Sequence, residues 1–104
     1  MILSVIAILF SSSTPTPADV GNCVQSKAVA LANEVKPIPD LAKMAVESCQ
    51  ELFDKLANAR DAAAAPKEKD PSQRQANSAA WRRSTSDILV QLATTTVEKS
   101  RNSN

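Results

Sequence analysis

Histidine and tyrosine are absent from the 104 residues, glycine occurs once, tryptophan once and cysteine twice. Each shortage removes a class of function. Without imidazole there is no Ser-His or Cys-His nucleophile pair, no His ligand for zinc, and no side chain whose ordinary pKa sits near neutrality. A single glycine cannot build a phosphate-cradling loop, which excludes the nucleotide-binding motifs that depend on one. Two cysteines fall short of the four ligands of a structural zinc site. Twelve basic residues against eleven acidic ones leave a formal charge of +1, interleaved along the chain. Neither a nucleic-acid footprint nor an acidic tail is present. No metal, cofactor or nucleic-acid partner is therefore expected, and an enzyme is the least supported of the functional classes.

What remains is rich in Ala, Leu and Val, with aromatics at 3%. Ala and unbranched side chains lose least on entering a helix, so the composition points to an all-α fold. The length suits one domain. A chain of this size buries only about two thirds of the surface its unfolded form exposes, so a covalent staple counts for more than in a larger protein.

Met1 to Phe10 reads MILSVIAILF. This run is too short to span a bilayer, which takes about 20 residues as a helix, but it suits the apolar region of a secretory signal. Thr16 and Ala18 place small residues at the two positions a signal peptidase inspects. Residues 1–18 are read as a signal peptide cut before Asp19, and 19–104 as one helical domain without a stable membrane span. No Lys or Arg precedes the apolar run, so its n-region charge has to come from the amino terminus or from residues further upstream. Val20-Gly21-Asn22-Cys23 loosely resembles a bacterial lipobox, but Asn before the cysteine fits poorly and the apolar run ends too early. Export to the periplasm or beyond implies an oxidising compartment, in which Cys23 and Cys49 form a disulfide. If Met1–Phe10 is not a signal, the competing reading keeps both thiols reduced as small buried hydrophobes. A redox-active role lacks the Cys-x-x-Cys spacing it would need.

Three helices are expected, over about 20–35, 40–65 and 71–99. In the first, Val24, Ala28, Leu31 and Val35 recur on one face, and Pro37 ends the helix by pushing Lys36 out of the helical region. Upstream, Thr16-Pro17-Ala18-Asp19 forms a good capping box if the chain is uncut. The second helix opens at Pro39-Asp40. It carries the cleanest amphipathic pattern in the chain, Leu41, Ala45, Cys49, Leu52, Leu56, Ala59 and Ala63, opposite a solvated ladder of Lys43, Glu47, Glu51 and Lys55. Asp70-Pro71-Ser72-Gln73 starts the third, whose weaker apolar face runs through Ala80, Trp81, Thr85, Ile88, Leu89, Leu92 and Val97.

The first two helices fold back at Pro37-Ile38-Pro39, which lies midway between the cysteines. Level residues then have numbers that sum to 72, as those of Cys23 and Cys49 do. Val20 meets Leu52, Ala28 meets Met44, Leu31 meets Leu41, and Ala30 opposite Ala42 permits the close approach a disulfide demands. Staple and hydrophobic pattern agree on one register.

Trp81-Arg82-Arg83 is the candidate partner-binding cluster, since Trp and Arg are enriched in binding hot spots. The bland alternative has Trp81 filling the gap between the second and third helices near Phe53, with the arginines on its solvent side. The fold expected is a small three-helix antiparallel bundle, an αα-hairpin stapled by one disulfide plus a third helix. The function expected is that of an exported non-enzymatic module acting on an unknown protein or envelope component. A periplasmic chaperone or apolar-ligand carrier ranks second and an enzyme third.

Overall fold

The computed structural model describes residues 14–103, so the apolar run Met1–Phe10 read as a signal lies outside the described residues. Within them the chain forms helices α1 (Pro17–Leu31), α2 (Ile38–Ser48), α3 (Gln50–Ala64) and α4 (Pro71–Ser103). The all-α expectation holds and the count does not, because the stretch expected as one helix over 40–65 is two.

The break falls at Cys49, whose backbone leaves the helical region at φ −108° and ψ 16°. Its N–H turns to the carbonyls of Val46 and Glu47 in place of the regular partner four residues back. Two physical causes meet here. Cys49 is bonded to Cys23 with 6.1 Å between Cα atoms, closer than the 8–10 Å at which helices ordinarily pack. One residue earlier, the Ser48 hydroxyl donates to the Met44 carbonyl at 2.8 Å, a back-bond that bends helices. With a sequence separation of 26 between the cysteines, the bridge stabilises the fold by about 3–4 kcal/mol on loop-closure grounds.

The first helix is also shifted from the expected 20–35. It begins at Pro17 because Thr16 and Asp19 form the capping box: the Asp19 N–H donates to Thr16 Oγ1 at 3.2 Å and the Thr16 N–H to Asp19 Oδ2 at 2.8 Å. It stops at Leu31, since the carbonyls of Ala32, Glu34 and Lys36 turn aside to the guanidinium of Arg101.

One cluster forms the core. On α1 it takes Val20, Val24, Ala28 and the capping Ala32, in steps of four; on α2 Leu41, Ala42, Ala45 and Val46; then Cys49, and Phe53 and Leu56 on α3. Half-buried Cys23, Leu31, Met44 and Leu52 pack against it, so the residues of the level-pair rule share this core. Ala30 does not. It is exposed, because a residue two positions on from buried Ala28 points to nearly the opposite side of a helix.

From α4 the core takes Leu89, Ala93 and Val97, again in steps of four. The expected members Ala80 and Ile88 are exposed, Ile88 at 59%. Two contacts orient α4 against α1. A Cβ on Gly21 would stand 3.8 Å from Leu92 Cδ2, and Arg101 bonds to Ala32, so the two helices run in the same direction. At about 50 Å, α4 is two to three times the length of its neighbours. Its C-terminal half covers α1 and α2, and its N-terminal half pairs with α3 as a two-helix arm. No helix among the described residues is long and apolar enough to cross a membrane.

Candidate functional site

The arm holds both aromatic side chains of the described residues. Trp81 is half-buried and stacks on Phe53, with ring centroids 5.9 Å apart and planes 23° from parallel. The hairpin brings them together because both lie a few turns from the Pro66–Asp70 connection, on facing helices. Over the Trp81 ring sits Arg60 of α3, its guanidinium carbon 5.0 Å from the centroid. An arginine in this position is attracted by the ring's negative face, an interaction worth about 0.5–1 kcal/mol at an exposed site.

The three residues of the candidate cluster part company. Trp81 packs inward on Phe53. Arg82 turns back along the arm: its Nη2 donates to Asp61 Oδ2 at 2.7 Å and to Asn58 Oδ1 at 3.2 Å, and its Nε to Ser78 Oγ at 3.1 Å. Arg83 is exposed on another side of α4. The hydrogen bond from Arg82 holds the Asp61 carboxyl below its ordinary pKa of 3.8. Partial burial opposes that shift, while the Ser78 hydroxyl and the charges of Arg82 and Arg60 reinforce it.

Beside the stack, α3 and α4 enclose a cleft of about 420 Å³ bordered by Arg60, Asp61, Glu68, Arg74, Asn77 and Ser78. Arg74 Nη1 donates to the Glu68 carbonyl at 3.0 Å, which ties the wall of the cleft to the connecting loop. Asn77 Oδ1 accepts from Gln73 at 3.0 Å, so its amide N–H groups remain for another acceptor. Two further clefts lie elsewhere. One, at the α1–α2 loop, is bordered by Lys36, Pro37 and Arg101; the other follows the outer face of α4 around Ile88.

Chemically, the arm cleft offers guanidinium and amide donors beside an aromatic face. Both cysteines are joined in the disulfide, and among the described residues no group of three or more His, Cys, Asp or Glu could hold a metal ion. Sequence reasoning missed Arg60 and Arg74. Counting down both helices from the Pro66–Asp70 loop brings Phe53 within about one turn of Trp81 but leaves Arg60 more than a turn away from it, so the count does not reach the cation over the ring. Comparison with family models, curated proteins and solved structures finds no match to this chain.

Proposed function

We propose that this protein is a small exported, non-enzymatic helical module that binds a protein or envelope component through the α3–α4 arm. In this reading the kinked α2–α3 pair is the middle leg of an antiparallel three-legged bundle. The arm is α3 together with the part of α4 that extends beyond α1.

The supporting observation is the Arg60–Trp81–Phe53 stack at the edge of the arm cleft. Trp and Arg are the residue types over-represented among side chains that carry binding energy. A guanidinium already laid on an aromatic ring has given up much of its rotamer freedom, so a partner that meets it pays less in ordering. The Cys23–Cys49 disulfide supports export, since structural disulfides persist in oxidising compartments, and it agrees with the leader-like run at Met1–Phe10.

Site-specific photo-cross-linking in the producing cells tests this reading. A benzophenone side chain at Gln75, an exposed residue bordering the arm cleft, is expected to give a discrete adduct. The same group at Glu47, on the exposed ladder of α2, is expected to give none. No adduct from either position would refute the binding-module reading, and an adduct from Glu47 alone would move the surface off the arm.

A further inference from the structure

Arg60 is a cation of the arm whose guanidinium edge has no acceptor among the described residues. One face of its guanidinium lies on Trp81, and among the described residues no carboxylate or carbonyl takes a hydrogen bond from it. A guanidinium carries five N–H donors in a planar fork, and stacking on a ring occupies the face while leaving the edge. The neighbouring Asp61 feels the Arg60 charge but gives its hydrogen bond to Arg82, at 2.7 Å. Across the cleft, Arg74 uses one N–H on the Glu68 carbonyl and pairs with no carboxylate.

We infer that the cleft between α3 and α4 binds a single carboxylate of an acidic peptide segment, taken by the guanidinium groups of Arg60 and Arg74 with Asn77 as a neutral donor. This deepens the binding-module reading and rests on it. Charge balance chooses the ligand. The cleft is bordered by Arg60 and Arg74 against Asp61 and Glu68, and Arg82 from outside it matches Asp61, which leaves one positive charge to be met. A carboxylate meets it, whereas a phosphate dianion brings a second negative charge that no group here offsets. A polyanion such as nucleic acid or an anionic membrane surface needs a broad positive field, and the chain's formal charge is only +1. Shape agrees with charge: at about 420 Å³ the cleft lies in the lower part of the range for small-ligand sites, room for an acidic side chain and its flanking backbone. Arginine is also the residue best matched to a carboxylate, through two parallel charge-assisted hydrogen bonds.

The test titrates the oxidised, isotope-labelled full chain with a capped pentapeptide, Gly-Ser-Glu-Ser-Gly, and with its Gln counterpart, and follows nitrogen–proton NMR signals. The Glu peptide is expected to shift the Trp81 indole N–H and the Arg60 side-chain N–H to saturation, with the Gln peptide weaker by about tenfold or more. Arg60→Gln and, separately, Arg74→Gln each remove the Glu preference, while Arg83→Gln keeps it. Arg74→Gln leaves the Trp81 stack in place, so its result stands even if Arg60→Gln disturbs the fold. Equal binding of the two peptides, a Glu preference that survives in both variants, or tighter binding of a phosphoserine peptide would each overturn the carboxylate assignment. If that assignment fails while the Gln75 cross-link persists, the module reading survives. If the cross-link fails too, both fall.

Discussion

Arg101 donates its Nε–H to the carbonyl of Ala32, 69 residues earlier in the chain, at 2.8 Å. Its Nη2 reaches two more carbonyls of the same loop, Glu34 at 2.9 Å and Lys36 at 3.0 Å. The last carbonyls of a helix have no partner within it, and proteins commonly satisfy them with a left-handed glycine just past the end. This chain has no glycine there, no described residue with positive φ, and no basic side chain in the last turn of α1. A guanidinium supplied by α4 takes the place of the cap and brings a positive charge to the negative end of the helix dipole.

Replacing Arg101 with Ala is expected to cost about 1–2 kcal/mol, since three carbonyls lose a charged donor but part of the loop regains water. Arg101→Lys recovers less than half of that, because an ammonium cannot present the planar fork. Urea unfolding read by circular dichroism checks both, with a lower midpoint at unchanged slope as the expected result. A midpoint within error of the parent would show that the clamp carries no stability.

Gly21 is the reverse case, a residue whose freedom goes unused. It sits inside α1 without positive φ, and the Cβ it lacks would find Leu92 Cδ2 at 3.8 Å, an ordinary contact. Gly21→Ala is expected to stabilise by about 0.5–1 kcal/mol through the lost entropy of the unfolded chain. Thermal unfolding should move up by about 3–6 °C. A downward shift would mean that α1 and α4 approach more closely at this point than the 3.8 Å contact describes.

The Asp61–Arg82 pair predicts a pH dependence with a definite sign. Asp61 titrates below its ordinary 3.8 in the folded chain, chiefly because of the Arg82 hydrogen bond. Its contribution is therefore present above pH 3.8 and is lost as the pH falls through and below that value. Both side chains are about one third exposed, at 33% and 36%, so solvent screening limits the contribution to about 1 kcal/mol or less. Asp61→Asn should unfold at lower urea than the parent at neutral pH, with the gap narrowing as the pH falls below 3.8. A gap that stays constant across that range would assign the loss to packing instead of charge.

The hairpin was legible from particular residues. Two cysteines set symmetrically about Lys36, beside Pro37-Ile38-Pro39, specified the bridge, and Thr16, Pro17 and Asp19 supplied the capping box from which α1 starts, ahead of the expected residue 20. The break at Cys49 was not legible, because neither Gly nor Pro marks it and the apolar spacing runs through it undisturbed. A covalent bond to another helix and the Ser48 back-bond decide it, and both act through tertiary structure. Ala93 was missed and Ile88 misplaced for a related reason. On a helix with few large apolar residues, the buried side is chosen by what the neighbours can accommodate, and a small residue that fits a close contact gives no hydrophobic signal. Of the arm site, Trp81 and its approach to Phe53 were readable, whereas the cation over the ring depends on where α3 points after its kink.

Cys23 and Cys49 precede Leu89, Ala93 and Val97 in the chain, and that order matters during synthesis. Domains assemble from the N-terminus as chains emerge at about 5–20 residues per second. The first two helices are complete for a few seconds before the row of α4 that covers them has been made. Their shared face, Val24, Ala28, Leu41 and Ala45 included, stands bare during that interval. A bridge closed within it would hold the hairpin in one register until the covering row arrives. Closed in that interval, the disulfide would guard an unfinished core as well as staple a finished one.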